Sequence, residues 1–260
     1  MNFISKIGLV AAITATTISA NAQVQLNDNN IDEVSKARTL DEKIDIRIGC
    51  GQSIGEGFKF PGTAGRTRDI PRLGIKSAYM ADGPHRLVLN EKREFDHRDY
   101  ITTEFPGGAI CAATFDVEAV KEVGKAIGEE VSDYGLDILL APGENLLRSA
   151  LCGRNHEYYS EDPVLSGKIA AAYINGVQSN GVGACLKHFA VNNQETNRNT
   201  MDARVSERAL RELYLKNFEI TVKESQPWTI MTSYNKVNGL YTCEDRRLTE
   251  TILRGDWGFK

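Results

Sequence analysis

A regular beat of apolar runs is what most constrains this chain. Near-continuous apolar segments open at Leu136 (LDILLAPG), Val182 (VGACLKHF) and Trp228 (WTIMTSYN), evenly spaced by 46 residues. Each fits a strand buried on both faces. Helix signals fill the gaps. Asp116 can cap a helix whose apolar positions are Val117, Val120, Val123, Ile127, Val131 and Tyr134, the three-four spacing of one buried stripe. Asp162 and Pro163 supply an N-cap and a first-turn proline ahead of Ile169, Tyr173, Ile174 and Val177. Ser206 can cap a third helix, with Leu210, Leu213, Tyr214 and Leu215 beginning its buried side. Two further strands are predicted, at 74–84 (GIKSAYMADGP, stopped by Asp-Gly-Pro) and at 107–116 (GGAICAATFD).

Alternating buried strands and helices make an α/β fold with a parallel sheet covered by helices. A doubly wound sheet and a (β/α)8 barrel both meet that description. No G-x-G-x-x-G follows a strand, which argues against the dinucleotide-binding version of the former. The expected fold is therefore a TIM-type (β/α)8 barrel. It is expected to be incomplete, because five strands are predicted up to Lys260 where eight close a barrel.

The N-terminus reads differently. MNFISK carries one lysine, IGLVAAITATTISA is apolar and small, and Ala20-Asn21-Ala22 precedes Gln23. That is the three-part pattern of a secretory signal peptide cleaved after Ala22. The run is shorter than the roughly 20 apolar residues of a membrane span. Residues 1–22 are thus expected to direct export to the periplasm or medium, with 23–54 a lead segment and 55–260 the partial barrel. The formal net charge of −4, with no long run of one sign, disfavours nucleic acid or an anionic membrane as partner. Five widely spaced cysteines, without C-x-x-C or a His/Cys cluster, make neither a zinc site nor a disulfide scaffold. Cys111 and Cys185 sit in apolar runs and are expected to be buried. No metal or cofactor is expected.

In parallel α/β folds the site lies at the C-terminal ends of the strands. Here those ends carry Asp82, then Glu144 with Arg154 beyond it, then Lys187 and His188, and finally Ser233, Tyr234 and Asn235. Lys187 needs a partner if it is buried. Adjacent strand residues point to opposite faces, so Lys187 and His188 can share one pocket only if the backbone is distorted; otherwise one of them faces the core. Such a mouth of directional donors and acceptors suits polyhydroxylated ligands. Three chemistries remain open on residue types alone: a glycosidase, a Schiff-base lyase using Lys187, and a non-catalytic carbohydrate-binding barrel.

ADGPHRL (81–87), EFPGGAICAATFD (104–116), CGRNHEYYSEDP (152–163), CLKHFAVNNQETNR (185–198) and SYNKVNG (233–239) together resemble the N-terminal barrel of glycoside hydrolase family 3, in its β-glucosidase and β-xylosidase branch. The likeness runs in order from about Gly55 to Lys260. KHFAVNNQETNR departs from the KHFPGHGDT pattern of the family's N-acetylglucosaminidases. The resemblance implies a retaining enzyme acting on a β-linked oligosaccharide or glycoside. It implies that Asp82 grips sugar hydroxyls, that Arg154, Lys187, His188 and Arg198 complete the clamp, and that Tyr234 stands near the nucleophile. Asp82 is then a binder and Lys187 a hydrogen-bond donor. APGENLLRSA (141–150) departs from the family's APGMNIHRNP, placing Glu144 where an apolar residue is usual, in a loop expected to border the site.

The resemblance also implies that the nucleophilic aspartate, in a Ser-Asp-Trp shortly after the WGF at 257–259, and the acid from a C-terminal α/β domain both fall beyond Lys260. The chain alone is therefore expected to hold no catalytic residue. Its open sheet edge is expected to leave it poorly soluble or molten and inactive on aryl β-glucosides.

Overall fold

The computed structural model describes residues 24–52, 59–94 and 96–260. The expected signal peptide lies outside them, as does the expected boundary at Gly55. Two short helices lead in, α1 (Ile31–Ala37) and α2 (Leu40–Ile48). Thr39 closes a full capping box with Glu42, whose carboxylate also pairs with Arg72. Val34 of α1 joins Ile70 and Leu73 in a small apolar cluster of its own.

The main sheet is built from β1 (Gly65–Arg66), β2 (Tyr79–Asp82), β3 (Ile138–Leu140), β4 (Gly183–Phe189) and, after the two-residue β5 (Asp202–Ala203), β6 (Thr229–Thr232). Its order is β1-β2-β3-β4-β6. The last four run parallel, as the even spacing predicts, and β1 adds antiparallel to β2. A small second sheet joins β5 to β7 (Lys236–Val237) and β8 (Leu240–Tyr241). The large sheet is a curled half-barrel, so the incomplete α/β barrel read from the sequence is the fold.

Residues 107–116 are not a strand. Gly108–Ala113 forms helix α3. A short apolar run lacks the length to reveal its period, and the Gly and Ala content gives no β-branched preference for a strand. Gly108 is also pressed onto the next motif: a Cβ there would lie 2.9 Å from the Glu157 carbonyl oxygen and 2.8 Å from that of Tyr158.

The main covering helices are α4 (Val117–Asp133) and α5 (Pro163–Gln178), each capped as expected. The Asp116 carboxylate accepts from Ala119 N–H, and that of Asp162 from Val164 and Leu165 N–H. The two helices touch backbone to backbone. A Cβ on Gly124 would come within 2.3 Å of the Tyr173 carbonyl oxygen, and one on Gly176 within 2.1 Å of that of Lys121. Ser206 caps α6 (Glu207–Ala209) through Ala209 N–H. The chain then widens through Leu210–Tyr214, where Leu215 N–H reaches the Leu210 carbonyl five residues back, and continues as α7 (Lys216–Ser225). That extra residue turns the helix face. Leu210 and Leu215 are buried, whereas Leu213, expected inside, is 46% exposed. The wide helix Arg247–Asp256 closes the described chain and buries Leu248, Ile252 and Leu253.

One core lies between sheet and helices. Ile127, Val131, Ile169, Ile174, Val177, Leu186 and Phe189 are fully or nearly fully buried there. Each such side chain contributes about 1.5–3 kcal/mol by leaving water. Phe189 packs edge-on to Phe218 at 5.3 Å and to Trp257 at 5.9 Å, tying β4 to α7 and to the closing helix. All five cysteines are free, and Cys111 and Cys185 are buried as expected.

Candidate active site

β2 ends in Asp82 and β4 carries Lys187 and His188, so the parallel register brings these ends to one mouth. The two adjacent β4 residues do not split between mouth and core. The β4–β6 register shifts between Lys187 and Phe189, the Lys187–His188 peptide is cis, and both side chains are buried in one polar network. A register irregularity of this kind re-aims a side chain.

The loop after β3 holds that irregular backbone. Glu144 N–H donates to the Lys187 carbonyl at 2.8 Å. Asn145, 2% exposed, acts as a substitute strand: its Nδ2 donates to the His188 carbonyl and its Oδ1 accepts from His188 N–H, both at 3.0 Å. From the other side Ser233 Oγ and Asn235 Nδ2 donate to the Ala190 carbonyl. Ser233 and Asn235 are therefore structural supports.

Lys187 has the partner its burial requires. Its Nζ lies 3.4 Å from Glu157 Oε2 and 3.9 Å from Asp82 Oδ1. Glu157 Oε1 takes Arg154 Nη1 at 2.5 Å. Arg154 Nε then faces Glu195 Oε1 at 3.1 Å, an ion pair without hydrogen-bond alignment. Glu195 Oε2 accepts from Arg198 Nη1 at 2.7 Å. The Arg198 guanidinium sits 5.0 Å from the centre of the Tyr234 ring, a cation–π contact.

His188 is neutral. Burial pushes its imidazole pKa down to about 2, and the charges of Arg154, Lys187 and Arg198 add to that. Arg154 can only donate, so at 3.2 Å its Nη1 fixes His188 Nε2 as acceptor and leaves the proton on Nδ1. Nδ1 faces Tyr158 Oη at 3.1 Å, and Tyr158 in turn donates to the Asn192 carbonyl. For Arg154 burial is the largest influence and works against the charge, but the pairing with Glu157, joined by Tyr158 and Glu195, together holds the guanidinium above its ordinary pKa.

All six residues singled out in the sequence thus meet in one connected cluster. Asp82 and Tyr234 form its open side, with the Asp82 side chain 54% exposed and Tyr234 55% exposed. Sequence reasoning missed Glu157, Glu195, Asn145, Tyr158 and Asn192. Three cations in one mouth require counter-charges, so the glutamates inside CGRNHEYYSEDP and NNQETNR were the available signal. Glu144 does not border the mouth. It is fully buried on the helix side of β3, where its Oε2 meets Thr221 of α7 at 2.7 Å. Loop position alone could not give that direction. Among the described residues no cluster of three or more metal-ligating side chains occurs, and no helix is long and apolar enough to cross a membrane.

Residues 78–260 match the model of the glycosyl hydrolase family 3 N terminal domain. Over 232 residues the chain is 46% identical to thermostable beta-glucosidase B of Acetivibrio thermocellus, covering 88% of this chain and 29% of that protein. It is 42% identical over 228 residues to an exo-alpha-(1->6)-L-arabinopyranosidase of Bifidobacterium longum, covering 86% and 28%. The structure of beta-glucosidase 3B from Thermotoga neapolitana in complex with alpha-D-glucose superposes with a TM-score of 0.84 at 51% identity, over 88% of this chain and 32% of that one. The chain thus spans about 29% of the first of these relatives. With the motifs in order, the half-barrel in place and the match running from residue 78 to 260, the chain belongs to glycosyl hydrolase family 3.

Proposed function

We propose that the protein is an exported retaining β-glycosidase of the β-glucosidase kind, and that this barrel holds the terminal non-reducing sugar of its substrate. The observation that carries the reading is the single cluster joining Asp82, Lys187, His188, Arg154, Arg198 and Tyr234 across separate strand ends. The half-exposed Asp82 carboxylate is free to accept from two adjacent hydroxyls. Arg154 and Lys187 donate charge-assisted bonds from fixed positions. Bonds that tighten as the ring flattens toward an oxocarbenium-like state lower the barrier, whereas bonds of constant strength only bind. The attacking carboxylate and the proton donor of that mechanism are assigned to sequence outside residues 1–260.

Lys187 is a donor in this reading. An ammonium held between two carboxylates has no free lone pair for Schiff-base chemistry. Hydrolysis of nitrophenyl β-D-glucoside and β-D-xyloside by the product of the complete reading frame tests the proposal. Release of nitrophenol with retention at the anomeric carbon is expected, with substitution of Asp82 by Asn lowering kcat/KM by about 100-fold or more. Turnover unaffected by that substitution, or a borohydride-trapped adduct on Lys187, would overturn it.

A further inference from the structure

We infer that Glu157 and Glu195 are positioning residues that set the charge selectivity of the pocket, so that it takes neutral sugars and rejects anionic ones. This rests on the glycosidase reading above and deepens it.

The ionic groups form a strictly alternating ladder: Asp82, Lys187, Glu157, Arg154, Glu195, Arg198. Three carboxylates face three cations, so the clamp is electrically balanced although it is rich in N–H donors. Every glutamate oxygen faces a cation, although Glu195 Oε1 meets Arg154 Nε as an ion pair only, without a hydrogen bond. Glu157 gives Oε1 to Arg154 and Oε2 to Lys187, and Glu195 gives Oε1 to Arg154 and Oε2 to Arg198. With both its oxygens turned to Arg154 and Lys187, the Glu157 carboxylate backs the donors and does not face a ligand. Asp82, by contrast, meets its cation only at 3.9 Å and is half exposed. A neutral hydroxyl entering this mouth finds oriented donors and one acceptor. A uronate carboxylate finds donors whose charge is already answered and, beside them, the like charge of Asp82. In a weakly screened pocket that difference counts for more than in water. Neutralising either glutamate leaves a surplus cation and weakens or inverts the preference.

The test compares binding of glucose and glucuronate to the product of the complete reading frame by titration calorimetry, with near-ultraviolet circular dichroism reporting the fold. The unaltered protein is expected to bind glucuronate at least about tenfold more weakly than glucose, a gap of about 1.4 kcal/mol. Glu157→Gln and Glu195→Gln are each expected to shrink or invert that ratio by about tenfold or more. Glu195→Asp, which keeps the charge, is expected to restore it. Should Glu157→Gln fail to fold, Glu195→Gln decides, since its carboxylate lies nearer the rim at 23% side-chain exposure. An unchanged ratio in a folded Glu195→Gln protein overturns the inference. So does equal binding of both sugars by the unaltered protein, whatever the variants do. Glucose binding with unaltered selectivity sinks the ladder alone, whereas failure to bind either sugar sinks the glycosidase reading and the ladder with it.

Discussion

Thr221 has one hydroxyl hydrogen and two oxygens within reach, Glu144 Oε2 at 2.7 Å and the Gly167 carbonyl at 3.1 Å. One hydrogen cannot serve both oxygens fully, and a protonated Glu144 that donates to Thr221 frees that hydrogen for Gly167. Full burial raises the Glu144 pKa well above its ordinary 4.5, in agreement, while Oε1 is left without a hydrogen-bond partner. Between pH 4.5 and that raised value the folded chain therefore retains a proton that the unfolded chain gives up. The stability this contributes is complete below 4.5 and is lost as pH rises toward the folded pKa. Glu144→Gln keeps the donor to Thr221 and cannot ionise. It is expected to raise unfolding free energy by about 1–3 kcal/mol at pH 8 and to change it little at pH 4, measured by urea denaturation. His188 works in the opposite sense. Its folded pKa of about 2 lies below the unfolded 6.5, so its contribution is complete above 6.5 and falls as pH falls. Against the unaltered protein, His188→Gln is expected to lose a slope of up to about 1.4 kcal/mol per pH unit between pH 6 and pH 4.5. The two slopes oppose each other in that window, so only the variants separate them.

At the level of elements, the α4–α5 contact is the tightest constraint. Because a Cβ on Gly176 would lie 2.1 Å from the Lys121 carbonyl oxygen, Gly176→Ala must push two helices apart despite its better helix propensity. A loss of about 1–3 kcal/mol is expected in denaturant unfolding, without change in the sugar-binding constant of the protein that remains folded. Helices and parallel strands were legible in the sequence because their signals are local: Asp116, Asp162 and Ser206 all cap the helices they were read to cap. α3 was not legible, since a six-residue apolar helix against Glu157 and Tyr158 has no period to read. The wide turn at Leu210–Tyr214 was hidden for the same reason. One inserted residue rotates Leu213 outward without leaving a mark in the composition.

For the whole molecule, the candidate site draws on the ends of β2 and β4, on the segment after β6 and on two long loops, so ligand binding and sheet stability are coupled. Glucose at 100 times its dissociation constant is expected to stabilise the product of the complete reading frame by about 2.7 kcal/mol, read as a rise in Tm, and Asp82→Asn to abolish most of that rise. A melting temperature that ignores glucose at any concentration would show that the cluster holds no sugar.

By itself the sequence determined the parallel α/β class, the starts of α4, α5 and α6, and the six polar residues that the fold gathers at one mouth. Period, caps and motif order are written in neighbouring residues and need no third dimension. Only the tertiary structure decided which way those residues point. The register shift in β4 turned Lys187 and His188 into one network, with Asn145 holding the backbone between them. Burial made His188 neutral and sent Glu144 to the helix side. The counter-charges Glu157 and Glu195 came from the same motifs as Arg154 and Arg198, and the fold joined one motif to the other through Arg154 and Glu195. Direction, burial and the pairs that join the motifs, Lys187 with Glu157 and Arg154 with Glu195, depend on residues far apart in the chain, and packing alone brings those residues together.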